Sequence, residues 1–592
     1  MLALQNMSNP NHGVFTLIKQ KFSAKISTEA IVFIALLLLN LFFVIFRFFP
    51  TIRDINLWDD AAYINRGRML LQGTFPKFSD NPLMALIFAL SYLPFQTDGF
   101  WMMHTATVGR ILMFALMWLG VYLIAKQLPG LKWYVVVGVM FVSGVMVDIL
   151  ENPSDTFYAA LAGLAFWQML CFVNTRRVKH LALTSFIIAL AALARNDGLV
   201  LFGVFVVISL AYLRSAENKL QHLAAAILPF LILVGGYVLT YGLITGDYDL
   251  GTQERSYLAF QQGQMELTVP DKNCKLGPVK CVEEEVNRLY GTSSENGNSV
   301  FRAIAHNPQA YLQRLTKTLS GLPRLAHDAY GKQTFYALLF LTVLGIFALI
   351  RKKKIALLLV SLAWCVTLVS YFLTFFRAGY LRTPFFVLFV LATFGVFELI
   401  ESLGQKRQWI WAAALLVLTG IGMMQSLNYF YFSTVILLAC MLLGYFIKTG
   451  SFESAYKAEL ILLVFLAGGL VMRGGFTPPV IPKLGAIPEE QAILALEKQL
   501  PENALVGAGA PGIPWAARMN FMPTTEKNYL VTANSPQEYY DGLKKLGIKA
   551  IYVDNIITNN APLWALIKPG IGKYYDRVYA GRAGSILVLL VK

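Results

Sequence analysis

The sequence predicts a polytopic α-helical membrane protein that ends in a smaller α/β domain. Hydrophobic residues make up 56% of the 592 residues and charged residues only 14%. Apolar runs of helical length recur from residue 31 to residue 472, and after residue 473 charged residues return at the density of a soluble domain. A composition this apolar is typical of a chain that lies in lipid and excludes an ordinary soluble protein of this size.

The apolar runs predict about thirteen transmembrane helices. The first run is long enough to cross a hydrocarbon core of roughly 30 Å and too long for a signal peptide, so we expect an uncleaved span. The runs on either side of Arg195 are short for separate crossings. The predicted spans are 31–49, 101–125, 133–150, 155–173, 181–194, 197–213, 222–244, 334–350, 355–376, 383–400, 409–424, 429–447 and 459–472.

Basic residues in the short connections predict the orientation of these spans. Lys and Arg are retained on the cytoplasmic side, and alternation from a cytoplasmic N-terminus places nearly every basic cluster inside. The predicted domains are a cytoplasmic segment (1–28), a transmembrane domain (29–472) with outer loops 51–100 and 245–333, and an extracytoplasmic α/β domain (473–592). The formal charge of +16 is explained by the cytoplasmic turns and does not predict nucleic-acid binding.

Two cysteines, Cys274 and Cys281, lie close together in the second of these outer loops, in "CKLGPVKC". We predict a disulfide between them, which requires an oxidising compartment. A metal site has less support, since only two ligands are in view and no histidine is near. Two unpaired thiols are the third alternative.

The extracytoplasmic domain is predicted to begin after a Gly- and Pro-rich linker, "MRGGFTPPVIP" (472–482). Helical spacing is found in "IPEEQAILALEKQL" and "SPQEYYDGLKKLG", whereas "ALVGAGA" and "IKAIYVD" are typical of buried strands. The final segment predicts a β-hairpin. "GAGAPG" matches neither the dinucleotide-binding nor the Walker pattern, so we interpret it as a structural turn.

An acid pair, Asp59 and Asp60, opens "DDAAYINRGRMLLQG" in the first outer loop. This stretch predicts an amphipathic helix on the membrane surface, with Arg66 and Arg68 away from its apolar positions. One carboxylate can cap the helix, which leaves the second available for chemistry. The apolar positions at helical spacing are Ala62, Ile64, Met69 and Leu70.

A second acidic cluster, Asp148, Glu151 and Asp155, is predicted at the same outer face. Acids at membrane depth usually face a protein cavity or a water-filled pathway. A simple cap of the next span is the alternative for Asp155.

Three stretches resemble the GT-C superfamily of polytopic glycosyltransferases, especially its protein mannosyltransferase and aminoarabinose transferase branch. "WDDAAYINRGRMLLQG" is similar to the Asp-acid-Ala-x-Tyr motif of the first outer loop, and "ALAALARNDGLVLFG" to an Arg-x-x-Gly turn. "RAGYLRTPFFVLF" resembles an Arg-Tyr-x-x-Pro region. The chain departs from the pattern at Asp60, where Glu is more frequent, and at Gly379, where a basic residue usually precedes Tyr380.

The resemblance implies an inverting transfer of one sugar from a polyprenyl-phosphate donor to an extracytoplasmic glycan, lipid or protein, in a bacterial inner membrane. Asp59 is then expected to act as the catalytic base, and Asp60 and Asp155 to hold the acceptor or a divalent cation such as Mg²⁺ or Mn²⁺. The residues expected to contact the donor phosphate are Arg195, Arg377 and Arg382. Those expected to stack on sugar or isoprenoid are Tyr63, Tyr257 and Tyr380.

Two other classes of function remain as alternatives. A transporter or lipid flippase also needs polar groups in a helical bundle, although the sequence has no internal repeat. A non-catalytic membrane scaffold accounts for the soluble domain but gives no reason for acids at the ends of spans.

Overall fold

A computed structural model describes residues 58–97, 100–128, 153–213, 218–248, 250–265, 267, 278–330, 332–381, 383–403, 487–524, 533–581 and 586–592. Helices and strands are numbered in chain order within this part. The description excludes the side chains of residues 58–60, so those of Asp59 and Asp60 lie outside it. Arg382, Asp148, Glu151, Cys274 and the Cys281 side chain also lie outside it.

Up to residue 403 the described chain is helical. The first helices are α1 (Trp58–Leu71), α2 (Pro82–Tyr92), α3 (Trp101–Gln127), α4 (Pro153–Thr175), α5 (Val178–Ala194), α6 (Gly198–Leu213) and α7 (Lys219–Thr245). The next are α8 (Thr252–Met265), α9 (Pro278–Tyr290), α10 (Val300–His306), α11 (Pro308–Tyr330), α12 (Lys332–Arg351), α13 (Ile355–Leu373), α14 (Ala378–Leu381) and α15 (Phe385–Leu403). Within α7 the turn after Pro229 widens into a π-helical stretch, Leu231–Gly235, because proline supplies no backbone N–H to the helical ladder.

Four of the described helices, α3, α4, α7 and α13, are long and apolar enough to cross a membrane. They coincide with predicted spans, and α5 and α6 are shorter, as the sequence indicated around Arg195. The apolar helix α2, inside the segment predicted as the first outer loop, was not predicted. The total of about thirteen spans stays a prediction, since the runs 31–49, 133–150, 409–424, 429–447 and 459–472 lie outside the described residues.

Glycines allow the closest helix contacts. A Cβ on Gly163 of α4 would lie 2.4 Å from the Phe386 ring of α15. Where α12 crosses α15, a Cβ on Gly345 would lie 1.7 Å from the Leu391 carbonyl oxygen, and one on Gly395 1.9 Å from that of Leu341. These helices meet backbone to backbone, a packing mode common between membrane helices.

The C-terminal part is a small α/β unit. Its five-stranded sheet has the order β2-β1-β3-β5-β4, in which β1 pairs parallel with β2 and β3, and β5 pairs antiparallel with β3 and β4. The predicted helices, strands and hairpin strands are confirmed. Its elements are α16 (Pro488–Gln499), β1 (Leu505–Ala508), α17 (Gly512–Ala516), β2 (Asn520–Pro523), α18 (Pro536–Lys545), β3 (Ala550–Val553), α19 (Asn555–Asn559), α20 (Ala561–Ile567), β4 (Tyr575–Gly581) and β5 (Ile586–Val591).

This α/β unit packs on the helical part through α17. The Trp101 indole N–H of α3 donates to the Ala516 carbonyl (2.9 Å), and the Arg518 guanidinium donates to the Gln96 carbonyl (2.7 Å). A single buried apolar cluster contains residues of α1, α2, α3, α16, α17 and the sheet. The segment predicted to be a structural turn, "GAGAPG", connects β1 to α17.

The docking corrects one expectation about α1. The helix is confirmed from Trp58, but Arg68 is 6% exposed, with its Cζ 5.8 Å from the centroid of the Trp101 ring. Burial lowers the pKa of the Arg68 guanidinium, although arginine stays protonated. Arg68 was expected to lie away from the apolar positions of an amphipathic helix, whereas its side chain is buried beside Trp101 of α3.

Candidate active site

Arg195 stands at the centre of the candidate site. It follows α5, and its guanidinium pairs through Nη1 with the Asp155 carboxylate and through Nε with the Asp197 carboxylate. The three side chains are between 12% and 23% exposed, so the cluster is largely shielded from solvent. The structure therefore brings together two predicted site residues, Asp155 and Arg195.

Local backbone geometry explains how the chain forms this cluster. The Arg195 N–H donates to the Ala191 carbonyl, and the chain then turns so that the Gly198 N–H donates to the Arg195 carbonyl. A Cβ on Gly198 would lie 2.3 Å from the Ala192 backbone nitrogen. The glycine of the Arg-x-x-Gly turn is therefore required by the close approach of α6 to α5.

Two tyrosines cover the guanidinium. Tyr371, at the end of α13, and Tyr380, in α14, stack with centroids 4.2 Å apart and an interplanar angle of 16°. The Arg195 Cζ lies 4.7 Å from the Tyr380 centroid and 5.9 Å from the Tyr371 centroid, within cation–π range. The predicted residue Tyr380 thus belongs to the same cluster.

The cluster has a formal charge of −1, since two aspartates share one guanidinium. The sequence led us to expect Arg195 to contact a donor phosphate, but its Nη1 and Nε are engaged with carboxylates. Contact of Arg195 with a donor phosphate stays a prediction. No group of three Asp, Glu, His or Cys side chains that could hold a metal is found in the described part of the chain.

The departure at Gly379 has a local consequence. A Cβ at this position would lie 3.3 Å from Asp155 Oδ2, closer than most van der Waals contacts. The missing side chain leaves room for the Asp155 carboxylate beside α14.

Helix α1, which carries Asp59 and Asp60, belongs to a buried apolar cluster that also contains sequence neighbours of Asp155 and Arg195. Its residue Tyr63 shares one buried apolar cluster with Phe157 and Tyr158 of α4 and with Ala194, the neighbour of Arg195. Tyr63 is 4% exposed and its hydroxyl accepts a hydrogen bond from Asn81 Nδ2 (3.0 Å). These contacts are those of a packing residue in α1, and stacking of Tyr63 on a sugar or isoprenoid stays a prediction.

The other predicted residues are more scattered. Arg377 is exposed, with its Cζ 4.3 Å from the Phe375 centroid, two residues before Gly379. Tyr257 is fully buried in a separate apolar cluster formed by α8, α9 and α10, where its hydroxyl donates to the Gly291 carbonyl (2.9 Å). Arg382, Cys274 and the Cys281 side chain lie outside the described part of the chain, so the disulfide stays a prediction.

Sequence reasoning missed two members of the cluster. Asp197 lies in the Arg-x-x-Gly turn, and an acid two residues after Arg195 was a usable signal. Tyr371 lies in an apolar span and gave none, because aromatic residues near membrane interfaces are common.

Comparison with solved structures finds a likeness along almost the whole chain. The crystal structure of ArnT from Cupriavidus metallidurans bound to undecaprenyl phosphate matches with 14% sequence identity and a TM-score of 0.52. The match covers 95% of this chain and 97% of the ArnT chain. The apo state of the same protein gives 13% and 0.53 with the same coverage. This chain has the fold of ArnT, a GT-C protein.

The resemblance to the GT-C superfamily is therefore confirmed at the level of the fold. AglB, the archaeal oligosaccharyltransferase from Archaeoglobus fulgidus, in complex with an inhibitory peptide and a dolichol-phosphate, is also found, with 13% identity and a TM-score of 0.47 over 92% of this chain and 72% of that chain. No protein-family model and no curated protein matches the sequence.

Proposed function

We propose that this protein is a membrane glycosyltransferase that moves a sugar from a polyprenyl-phosphate donor to an extracytoplasmic acceptor. The observation that carries the proposal is the near full-length likeness to ArnT, whose crystal structure holds undecaprenyl phosphate. Further support comes from the Asp155–Arg195–Asp197 cluster and from the Asp59–Asp60 motif of α1, a helix that shares a buried apolar cluster with Ala194.

In this mechanism Asp59 takes the proton of the acceptor hydroxyl. The acceptor oxygen forms a bond to the anomeric carbon, the bond from that carbon to the phosphate oxygen breaks, and polyprenyl phosphate leaves with the electron pair, which inverts the anomeric centre. Asp60 and Asp155 orient the acceptor.

Cationic side chains at the edge of the cluster stabilise the departing phosphate. Arg377 is exposed and precedes the Tyr380 helix, and Arg382 follows it, so both are candidates for bidentate binding of phosphate oxygens. Arg195 acts indirectly in this scheme, by holding Asp155, Asp197 and the tyrosine pair. A divalent cation at Asp60 and Asp155 stays a prediction.

The test compares cells that contain the wild-type protein with cells that contain Asp59→Asn at equal membrane abundance. Removal of a general base is expected to lower transfer by at least about a hundredfold. Mass spectrometry of lipid extracts and surface glycans should then show accumulated polyprenyl-phosphate sugar and one shortened glycan. Asp541→Asn, an exposed change on α18, is the matched control and should leave both profiles unchanged.

Full transfer activity of the Asp59→Asn variant would exclude Asp59 as the base. Unchanged glycans in cells that lack the protein, together with movement of a lipid or solute across proteoliposomes, would instead support a transporter.

A further inference from the structure

The segment predicted as the second outer loop forms a helical module, which contacts the backbone next to the stacked pair Tyr371 and Tyr380. Helices α8, α9, α10 and α11 enclose a small apolar core that includes Phe260 and Tyr290, whose rings meet edge to face at 4.9 Å. From this module the Tyr311 hydroxyl of α11 donates to the Phe372 carbonyl (3.2 Å). Phe372 directly follows Tyr371, so the module reaches the backbone that carries the tyrosine pair.

One buried cation completes this attachment. Arg314 of α11 is 4% exposed, and its Cζ lies 4.7 Å from the centroid of the Phe260 ring. Its Nη1 donates to the Phe260 carbonyl of α8 (3.0 Å), and its Nη2 donates to the Thr374 carbonyl. The Arg314 guanidinium therefore connects α11 to α8 and to the 374–377 segment through two hydrogen bonds, one from each terminal nitrogen.

The space around Arg314 is made by a glycine. A Cβ on Gly263 of α8 would lie 2.6 Å from Arg314 Nη2 and 2.6 Å from the Thr374 carbonyl oxygen. A larger residue at this position would have to displace the guanidinium or the segment that it holds.

We propose that Arg314 is a positioning residue for the site: it fixes the backbone at Thr374 so that Tyr371 and Tyr380 remain stacked over Arg195. Thr374 lies between the two tyrosines in sequence, and the next residue, Phe375, carries the ring that Arg377 covers. The 374–377 segment is irregular between α13 and α14, so no continuous helix holds it. The role in transfer rests on the proposed function, whereas the role in holding the segment does not.

The test uses amide hydrogen exchange of the full-length protein in detergent micelles. In Arg314→Met, peptides that cover residues 371–381 should exchange at least about tenfold faster, because a buried charged donor and its two carbonyl bonds are lost. Arg324→Met removes the same charge from an exposed position of α11 and should leave the exchange of these peptides unchanged. Unchanged exchange in Arg314→Met would overturn the proposal.

A second pair of variants covers the case in which Arg314→Met fails to accumulate. Gly263→Ala keeps every charge but places a methyl group against the Arg314 guanidinium. In Gly321→Ala on α11 the added Cβ meets no atom within 4 Å. Faster exchange of the 371–381 peptides in Gly263→Ala alone supports the proposal, and equal exchange in both variants overturns it.

The turnover of sugar transfer separates this proposal from the proposed function. With polyprenyl-phosphate sugar as donor, Arg314→Met should lower kcat by about tenfold or more with little change in the donor KM, since the substrate contacts remain while their geometry is lost. Faster exchange with unchanged kcat and KM would confine Arg314 to a structural role and overturn positioning. A wild-type protein with no transfer activity but with the exchange effect in Arg314→Met would contradict the proposed function and leave the segment-holding role supported.

Discussion

Four side chains contact the Arg195 guanidinium. Two carboxylates take Nη1 and Nε, and two tyrosine rings cover the guanidinium plane. An ion pair that is largely buried contributes little net stability, because both of its charged groups lose their hydration when the protein folds. Removal of one partner is costly, since it leaves an unpaired charge behind.

Replacement of Arg195 by Met is therefore expected to destabilise the protein by about 3 kcal/mol, because Asp155 and Asp197 are left facing each other without a cation. The measurement is thermal or denaturant unfolding in detergent, followed by tryptophan fluorescence. Arg324→Met on the exposed side of α11 is the control for loss of one positive charge and should unfold like the wild type. Equal stability of the two variants would show that the ion pair is dispensable.

Glycine positions set how closely the helices approach. Between α12 and α15 the two glycines, Gly345 and Gly395, let backbones meet, and each backbone nitrogen lies 3.1 Å from the Cβ position of the other glycine. Small residues matter here because lipid provides little hydrophobic drive for helix association, so close van der Waals packing carries more of the stability.

Gly345→Ala should separate α12 from α15 and destabilise the protein by about 2 kcal/mol, as expected for overpacking of a tight contact. Gly203→Ala on α6 is the matched control, because a Cβ there meets no atom within 4 Å. That control should be neutral or slightly stabilising, since alanine favours the helix over glycine. Unfolding temperatures in detergent decide the matter, and a Gly345→Ala protein as stable as Gly203→Ala would contradict the close-contact account.

At the scale of the whole molecule, the α/β unit packs on helix α1 and on its neighbours. The Trp101 indole bonds to the Ala516 carbonyl in a fully buried setting, and Arg518 reaches back to Gln96. Because α1 carries Asp59 and Asp60, the docking of the α/β unit fixes the helix on which the proposed base lies.

Trp101→Phe removes one buried donor and leaves the Ala516 carbonyl unpaired, at an expected cost of about 1 to 2 kcal/mol. Amide exchange in peptides of residues 505–523 should rise about fivefold to thirtyfold if α17 detaches locally. In Trp167→Phe the same change is made on α4, where the indole N–H donates to no atom of the described residues, and the 505–523 peptides should be unaffected. Identical exchange in both variants would mean that the Trp101 hydrogen bond does not hold the interface.

The order of elements could be predicted well from the sequence. Hydrophobic runs in lipid must be helical, since backbone groups there have no water to bond, and this gives the positions of α3, α4, α7 and α13. The strands β1 and β3 and the Ser535-capped helix α18, whose cap accepts from the Glu538 N–H at 3.2 Å, followed from short-range patterns.

By itself the sequence determined the membrane class, the α/β unit, and the turn that carries Arg195. Only the tertiary structure decided that Arg195 is shared between Asp155 and Asp197 under two tyrosines, that Arg68 is buried, and that Arg314 holds a segment 60 residues away. The physical reason is that composition and periodicity report what each residue costs to place in lipid or water, which is a local property. The partner of a buried charge is chosen by long-range packing, which a local pattern does not encode.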